Sequence, residues 1–194
     1  MNILKFGFFS SDDNYDMRFR HNICWSRIYE YPFVLEEIES YKRDKQISSP
    51  KIHNCSWGFD SMHVVFKTWL DIFYDSIHSD IRPSSLYNTE LWDITRESNY
   101  KNKFDIVINV STLEEVEGEH MLFLKNHYNQ LKDGGRLIIT FDYPGFQLEK
   151  FQSLINRDIK TPNNLLTPLT SVLPPIGLGC PNNLQVGYLV LEKN

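Results

Sequence analysis

Apolar positions along the chain switch between helical and strand spacing, and the switches predict the elements. Residues 1–26 are irregular, polar and aromatic and follow neither period. Tyr31, Val34, Leu35, Ile38 and Tyr41 then recur at helical spacing, with Pro32 at a first-turn position that tolerates it. The polar stretch 42–50 (KRDKQISSP) reads as a loop, residues 51–55 (KIHNC) as a short strand, and Ser56-Trp57-Gly58 as a turn. Met62, Val65, Phe66, Trp69, Leu70 and Phe73 form one helical stripe, with Asp60 or Ser61 placed to cap its start. Short strands follow at 76–81 (SIHSDI) and 90–94 (ELWDI). The β-branched run 104–110 (FDIVINV) suits a strand covered on both faces.

Ser111 and Glu114 have the spacing of a capping box, and Val116, His120, Phe123, Leu124, His127 and Leu131 continue a helix from it. Asp133-Gly134-Gly135 is suited to ending that helix in a left-handed turn. A buried strand at 136–141 (RLIITF), a helix at 146–155 and a last strand at 185–192 complete the pattern. Residues 161–183, rich in Pro, Asn and Gly, read as a long loop. Strands alternating with helices imply right-handed crossovers. The expected fold is therefore α/β, three-layered, with a doubly wound, mostly parallel sheet over residues 50–194, preceded by an N-terminal extension (1–49) carrying one helix.

Composition narrows the function. With 194 residues, 41% of them hydrophobic and 23% charged, the chain can bury a sizeable core, which excludes disorder, collagen and coiled coil. It has no run of about 18 uncharged apolar residues, so no membrane partner is expected. The opening MNILKFGFFSSDD lacks the features of a secretory signal, and a cytoplasmic location is expected. A net charge of −5 with scattered Lys and Arg argues against nucleic acid as a partner. Cys24, Cys55 and Cys180 lie far apart without a C-x-x-C pair, so they read as reduced and buried rather than as a disulfide framework or zinc site. His53, His63 and His78 share no metal-ligand spacing, and no metal is expected.

Ligands of doubly wound sheets bind outside the carboxyl ends of the strands. The segments to inspect are 54–60, Asp80, Asp93, 109–112 and 142–145. A carboxylate ending the second predicted strand can accept both hydroxyls of a ribose, and one ending the third can accept from an exocyclic adenine amine. Asp80 and Asp93 stand at those positions, although either could equally cap a loop.

Taken with this element order, FDIVINVSTLEEV and LKDGGRLIITF resemble the class I S-adenosylmethionine-dependent methyltransferases. In that family the fourth strand reads roughly "fDlV", often followed by "S.LEHV", and "LkpGG.l" precedes the fifth. The resemblance covers about residues 50–155 and the final strand. It implies a Rossmann-like methyltransferase fold and S-adenosylmethionine as cofactor. It places Asp80 on the ribose, Asp93 and Ile94 beside the adenine, and Asn109 with Val110 along the methionine part.

The family's glycine-rich "D.G.G.G" loop aligns with residues 54–60. Asn54 replaces the acid, Ser56 the first glycine and Asp60 the last; Trp57 and Phe59 are bulky, and Gly58 alone survives as glycine. Glu115 stands where the family often has His and reads as a helix-start acid. His120 and His127 read as packed on their helix. Asp142, Tyr143 and His120 are best placed to meet an acceptor, and Trp25, Tyr29, Tyr31 and Phe33 either wall the acceptor site or pack on the sheet. The function implied is methyl transfer to a small molecule or sugar. The alternative is a methyltransferase-like protein that has lost cofactor use and acts as a binding or scaffolding module.

Overall fold

The computed structural model describes residues 2–9, 27–58, 61–84, 87–143, 145–155 and 185–194. In chain order the elements are β1 (Asn2–Phe8), α1 (Arg27–Lys45), β2 (Lys51–Cys55), α2 (Ser61–Phe73), β3 (Asp75–Asp80), β4 (Glu90–Leu91), β5 (Phe104–Val110), a 3-10 turn (Leu113–Glu115), α3 (His120–Tyr128), β6 (Leu131–Tyr143), α4 (Leu148–Ile155) and β7 (Gln185–Glu192). The seven strands form one sheet in the order β1-β7-β6-β5-β2-β3-β4. The inner pairs are parallel, whereas β7 lies antiparallel between β6 and β1.

Alternating residues of the central strands feed two separate cores. Ile52, Ile106, Ile108, Ile138 and Val190 pack with Val34, Ile38 and Tyr41 of α1 and Phe66 and Leu70 of α2. Val107, Leu137, Ile139, Leu189 and Leu191 pack with Phe123 and Leu124 of α3 and Leu148 and Phe151 of α4. This two-sided burial explains why β5 and the centre of β6 read as continuous apolar runs rather than alternating ones. The result is the three-layer, doubly wound α/β architecture that the alternation of elements predicts.

Several boundaries differ from the sequence expectation. The opening segment is not wholly irregular: β1 pairs with β7 from Asn2↔Glu192 to Phe8↔Gly187, so the sheet begins inside the expected extension. Helix α1 is longer than its apolar stripe, starting at Arg27 and absorbing residues 42–45 of the expected loop, which leaves Pro32 in the second turn rather than the first.

The helix expected from Ser111 to Leu131 is broken. Gly118 has φ +130°, and a Cβ there would lie 2.9 Å from the Phe123 ring, so the chain turns at that glycine before α3 begins. The capping box does not form, because Ser111 Oγ donates to Glu30 and the Glu114 carboxylate accepts the Asp142 N–H (2.7 Å). Gly134 and Gly135 do not end a helix either. They sit in a β6 bulge, where the register against β5 jumps from Phe104↔Leu131 to Ile106↔Arg136, with Gly134 at φ +73°. The expected loop at 161–183, Cys24, Trp25, Phe59, Asp60 and Cys180 lie outside the described residues.

Candidate functional site

Strand order and chain order together create one opening. From β2 the chain runs outward to β3 and β4, then returns to β5 on the other side of β2, so the strand ends diverge between β2 and β5. This is the switch point where open α/β sheets take ligands. A cavity of about 440 Å³ lies there, walled by the ends of β2, β3 and β5, the 92–95 turn and the starts of α1 and α2. That volume falls in the range of small-molecule pockets.

Of the residues that the sequence places around the cofactor, Asn54, Ser56, Trp57, Gly58, Asp80, Asp93, Ile94 and Val110 line this cavity. Asn109 does not. Successive residues of a strand face opposite sides, and Val110 is the one on the cavity wall. Asn109 is fully buried on the α3 side, where its Nδ2 donates to His127 Nε2 (3.3 Å).

The loop after β2 keeps the backbone shape of a glycine-rich turn with fewer glycines. Ser56 has φ +54° and Gly58 has φ +72°. A non-glycine residue there bears a strain of roughly 1–2 kcal/mol. A Cβ on Gly58 would meet His63 Cδ2 at 2.5 Å, so this position has no room for a side chain. Trp57 is wall rather than plug. Its indole N–H donates to Thr89 Oγ1 (3.1 Å), its ring meets Tyr87 edge-on at 5.4 Å, and the cavity remains open beside it.

Asp80 ties this loop to β3. Its Oδ2 accepts the Gly58 N–H (3.1 Å) and its Oδ1 the Arg82 N–H (3.0 Å), and Nε of the largely exposed Arg82 side chain also donates to Oδ1 (3.4 Å) in an ion pair. An ionised carboxylate has about four acceptor positions, so the side chain retains capacity for further donors. Asp93 is used differently. Its Oδ1 accepts both the Thr95 N–H (2.9 Å) and the Thr95 hydroxyl (2.7 Å), and these bonds hold its carboxyl below the usual range. Asp93 thus builds its own turn while bordering the cavity.

The rest of the cavity wall is only partly expected from the sequence, which offers Tyr31 and the 109–112 segment. Arg27, Tyr31, His63, Phe66, Ser111 and Thr112 line it. Glu30, fully buried, pairs with Arg27 and accepts the hydroxyls of Ser111 and Thr140. Tyr31 stacks on Phe66 at 4.1 Å and hydrogen-bonds His63. Tyr29 and Phe33 pack in the core, whereas Tyr31 is shared between core and cavity.

Nearby, burial and the charge of Asp142 push the Glu114 carboxyl up to about 8, and burial with the charge of Glu30 pushes Asp142 up to about 7. His120 and His127 are packed on their helix and hydrogen-bonded to backbone, as the sequence suggests. His120 donates from Nε2 to Val116 O and accepts the Gln147 N–H, and His127 donates to Phe123 O. Among the described residues no cluster could hold a metal ion, and no helix is long and apolar enough to cross a membrane.

No family model and no curated protein matches this sequence. Solved structures do match. The CurJ carbon methyltransferase superposes with a TM-score of 0.52 at 11% identity, over 85% of this chain and 54% of its own. The N-methyltransferase NodS from Bradyrhizobium japonicum WM9, solved with S-adenosylhomocysteine, gives 0.47 at 14% identity, over 84% and 92%. An S-adenosylmethionine-dependent methyltransferase from Mesorhizobium loti gives 0.42 at 16% identity, over 56% and 54%. This chain therefore spans about half the length of two of the three. Strand order, the opening between β2 and β5 and the CurJ superposition agree: the chain has a Rossmann-like methyltransferase fold.

Proposed function

We propose that the protein is an S-adenosylmethionine-dependent methyltransferase acting on a small molecule or sugar. One observation carries the reading: Asp80, at the end of β3, accepts the N–H of Gly58 in the loop after β2, on the wall of a cavity large enough for a nucleoside. The residues present fit the cofactor. Asp80 offers acceptor positions to a ribose diol, Gly58 packs without a side chain against His63 on the same wall, and Ile94 gives an apolar edge beside Asp93. Asn54, Ser56, Trp57 and Val110 complete the wall.

The cofactor supplies an activated methyl group. Methyl transfer from a sulfonium asks the protein mainly for in-line positioning, and the chain's part is to hold both reactants in one cavity. Arg27, Tyr31 and Ser111 form the wall available to the acceptor. Asp142 and Tyr143, which the sequence offered to the acceptor, do not line this cavity.

A second reading, a methyltransferase-like binding module without cofactor, is favoured by the commitment of Asp93 Oδ1 to Thr95 and by the side chains replacing loop glycines. Thermal-shift measurements separate the two. At 1 mM S-adenosylhomocysteine and a Kd near 100 μM, linkage gives about 1.4 kcal/mol, a rise in melting temperature of about 3–6 °C for a chain of this size. NAD and ATP at the same concentration should give none. Absence of a shift with S-adenosylhomocysteine would leave the binding-module reading standing.

A further inference from the structure

The position where the methyltransferase pattern carries an acid is occupied here by Asn54, and its amide is held by a chain of hydrogen bonds that runs from the cavity to the surface. Asn54 is 2% exposed and lines the cavity. Its Nδ2 lies 3.2 Å from His78 Nδ1. On the far side of the ring, His78 Nε2 lies 2.7 Å from Asp71 Oδ1 and 3.0 Å from Ser76 Oγ. Asp71 is in turn fastened by Lys67 (2.6 Å) and by the Ser76 hydroxyl (2.7 Å).

The order of donors follows from the outermost group. A carboxylate only accepts, so His78 must carry its proton on Nε2 and direct it to Asp71. Burial, with the charge of Lys67, lowers His78 to about 4 despite Asp71, so the ring is neutral at pH 7 and its Nδ1 has a lone pair. That lone pair can only accept, so it takes an N–H of the Asn54 amide. The amide group is thereby fixed toward the histidine, and the carbonyl oxygen is left as the atom Asn54 offers elsewhere.

We propose that Asp71 and His78 are positioning residues that lock the Asn54 amide with its carbonyl oxygen toward the cavity, where it receives an N–H or O–H donor of the ligand. Asn54 thus replaces the family's carboxylate with a neutral acceptor of fixed direction, which recognises a donor without requiring it to be charged. The proposal rests on the cofactor-binding reading only for the identity of the ligand; the locked orientation belongs to the free protein. A free asparagine could turn either end to a ligand, so the lock is what makes the position selective.

Two measurements test it together. Side-chain 15N NMR of the ligand-free protein reports the His78 tautomer directly. The expected result is a proton on Nε2, passing to a mixture of tautomers in the Asp71→Ala/Ser76→Ala double variant. A proton on Nδ1 in the unmodified protein would overturn the lock, since Asn54 would then have to present its carbonyl to His78. Calorimetric titration with S-adenosylhomocysteine reports the consequence. Asn54→Leu should weaken binding about tenfold, the worth of one good hydrogen bond to ligand, with the melting temperature within a few degrees of the parent. Equal affinity in Asn54→Leu would overturn the ligand contact. If the unmodified protein fails to bind this probe, the cofactor reading falls, while the tautomer still decides the lock.

Discussion

Replacing Arg136 with methionine is expected to destabilise the protein by about 3 kcal/mol and lower its melting temperature by about 6–12 °C. Arg136 is 4% exposed at the start of the buried part of β6. Its guanidinium donates to Glu37 O (3.2 Å) and Asp44 Oδ2 (3.0 Å), lies 3.5 Å from Glu37 Oε2 and sits under the Tyr41 ring. All three partners belong to α1, so this one side chain fastens the helix that supplies Arg27 and Tyr31 to the cavity. Removing it leaves the Glu37 carboxylate, 1% exposed, with Lys5 as its remaining cation. Breaking a buried pair from one side is worth about 3–5 kcal/mol, and retention of Lys5 puts the effect at the lower end. Urea unfolding at fixed pH checks it. A loss below about 1 kcal/mol would mean that α1 is held by its apolar face alone.

Stability should peak near pH 6.5 and fall on both sides. His53 is held at about 3 and His78 and His127 at about 4, each chiefly by burial. The unfolded chain takes up these three protons below about 6.5 and the folded one does not, so each histidine removes about 1.4 kcal/mol per pH unit on the acid side. Glu114 at about 8 and Asp142 at about 7 act in the opposite sense. They stay protonated in the fold while the unfolded chain ionises, so their contribution is full at low pH and lost as pH rises through the folded values. Between pH 6.5 and 4.5 three groups oppose two, a net loss of about 3 kcal/mol; from pH 6.5 to 8.5 the two acids together lose a similar amount, about 3 kcal/mol. Chemical unfolding at half-unit intervals gives the curve. In the Glu114→Gln variant the alkaline limb should flatten, and an unchanged limb would show that Glu114 is ionised in the fold.

The sequence showed most clearly what burial on two faces writes into one short segment. FDIVINV and RLIITF are apolar at every position that meets a core, so β5 and the centre of β6 were plain, and the loop after β2 could be aligned because its turn needs left-handed residues at Ser56 and Gly58. The edge strand β1 was not readable, because its pairing is specified by residues 185–192 and its own apolar residues follow no strict alternation. Helix α3 was overextended because the apolar spacing continues through Gly118, where the backbone does not. Asn109 was placed in the site by the resemblance, near the end of the 104–110 strand, and one residue of strand alternation sends it to the other face. The buried cluster around Glu30 was invisible for a related reason: Glu30 meets partners 81 and 110 residues away, and no local spacing encodes that meeting.

The central claim is that Asp80 and the loop after β2 hold the adenosine part of the cofactor. Calorimetric titration of S-adenosylhomocysteine into the parent protein and the Asp80→Ala variant tests it most directly, with the melting temperature of each ligand-free protein measured alongside. The parent should bind with a Kd below about 100 μM, or roughly −5.5 kcal/mol, and a variant that is still folded should show no measurable binding. No heat of binding at millimolar ligand with the parent, or equal affinity in the variant, would contradict it.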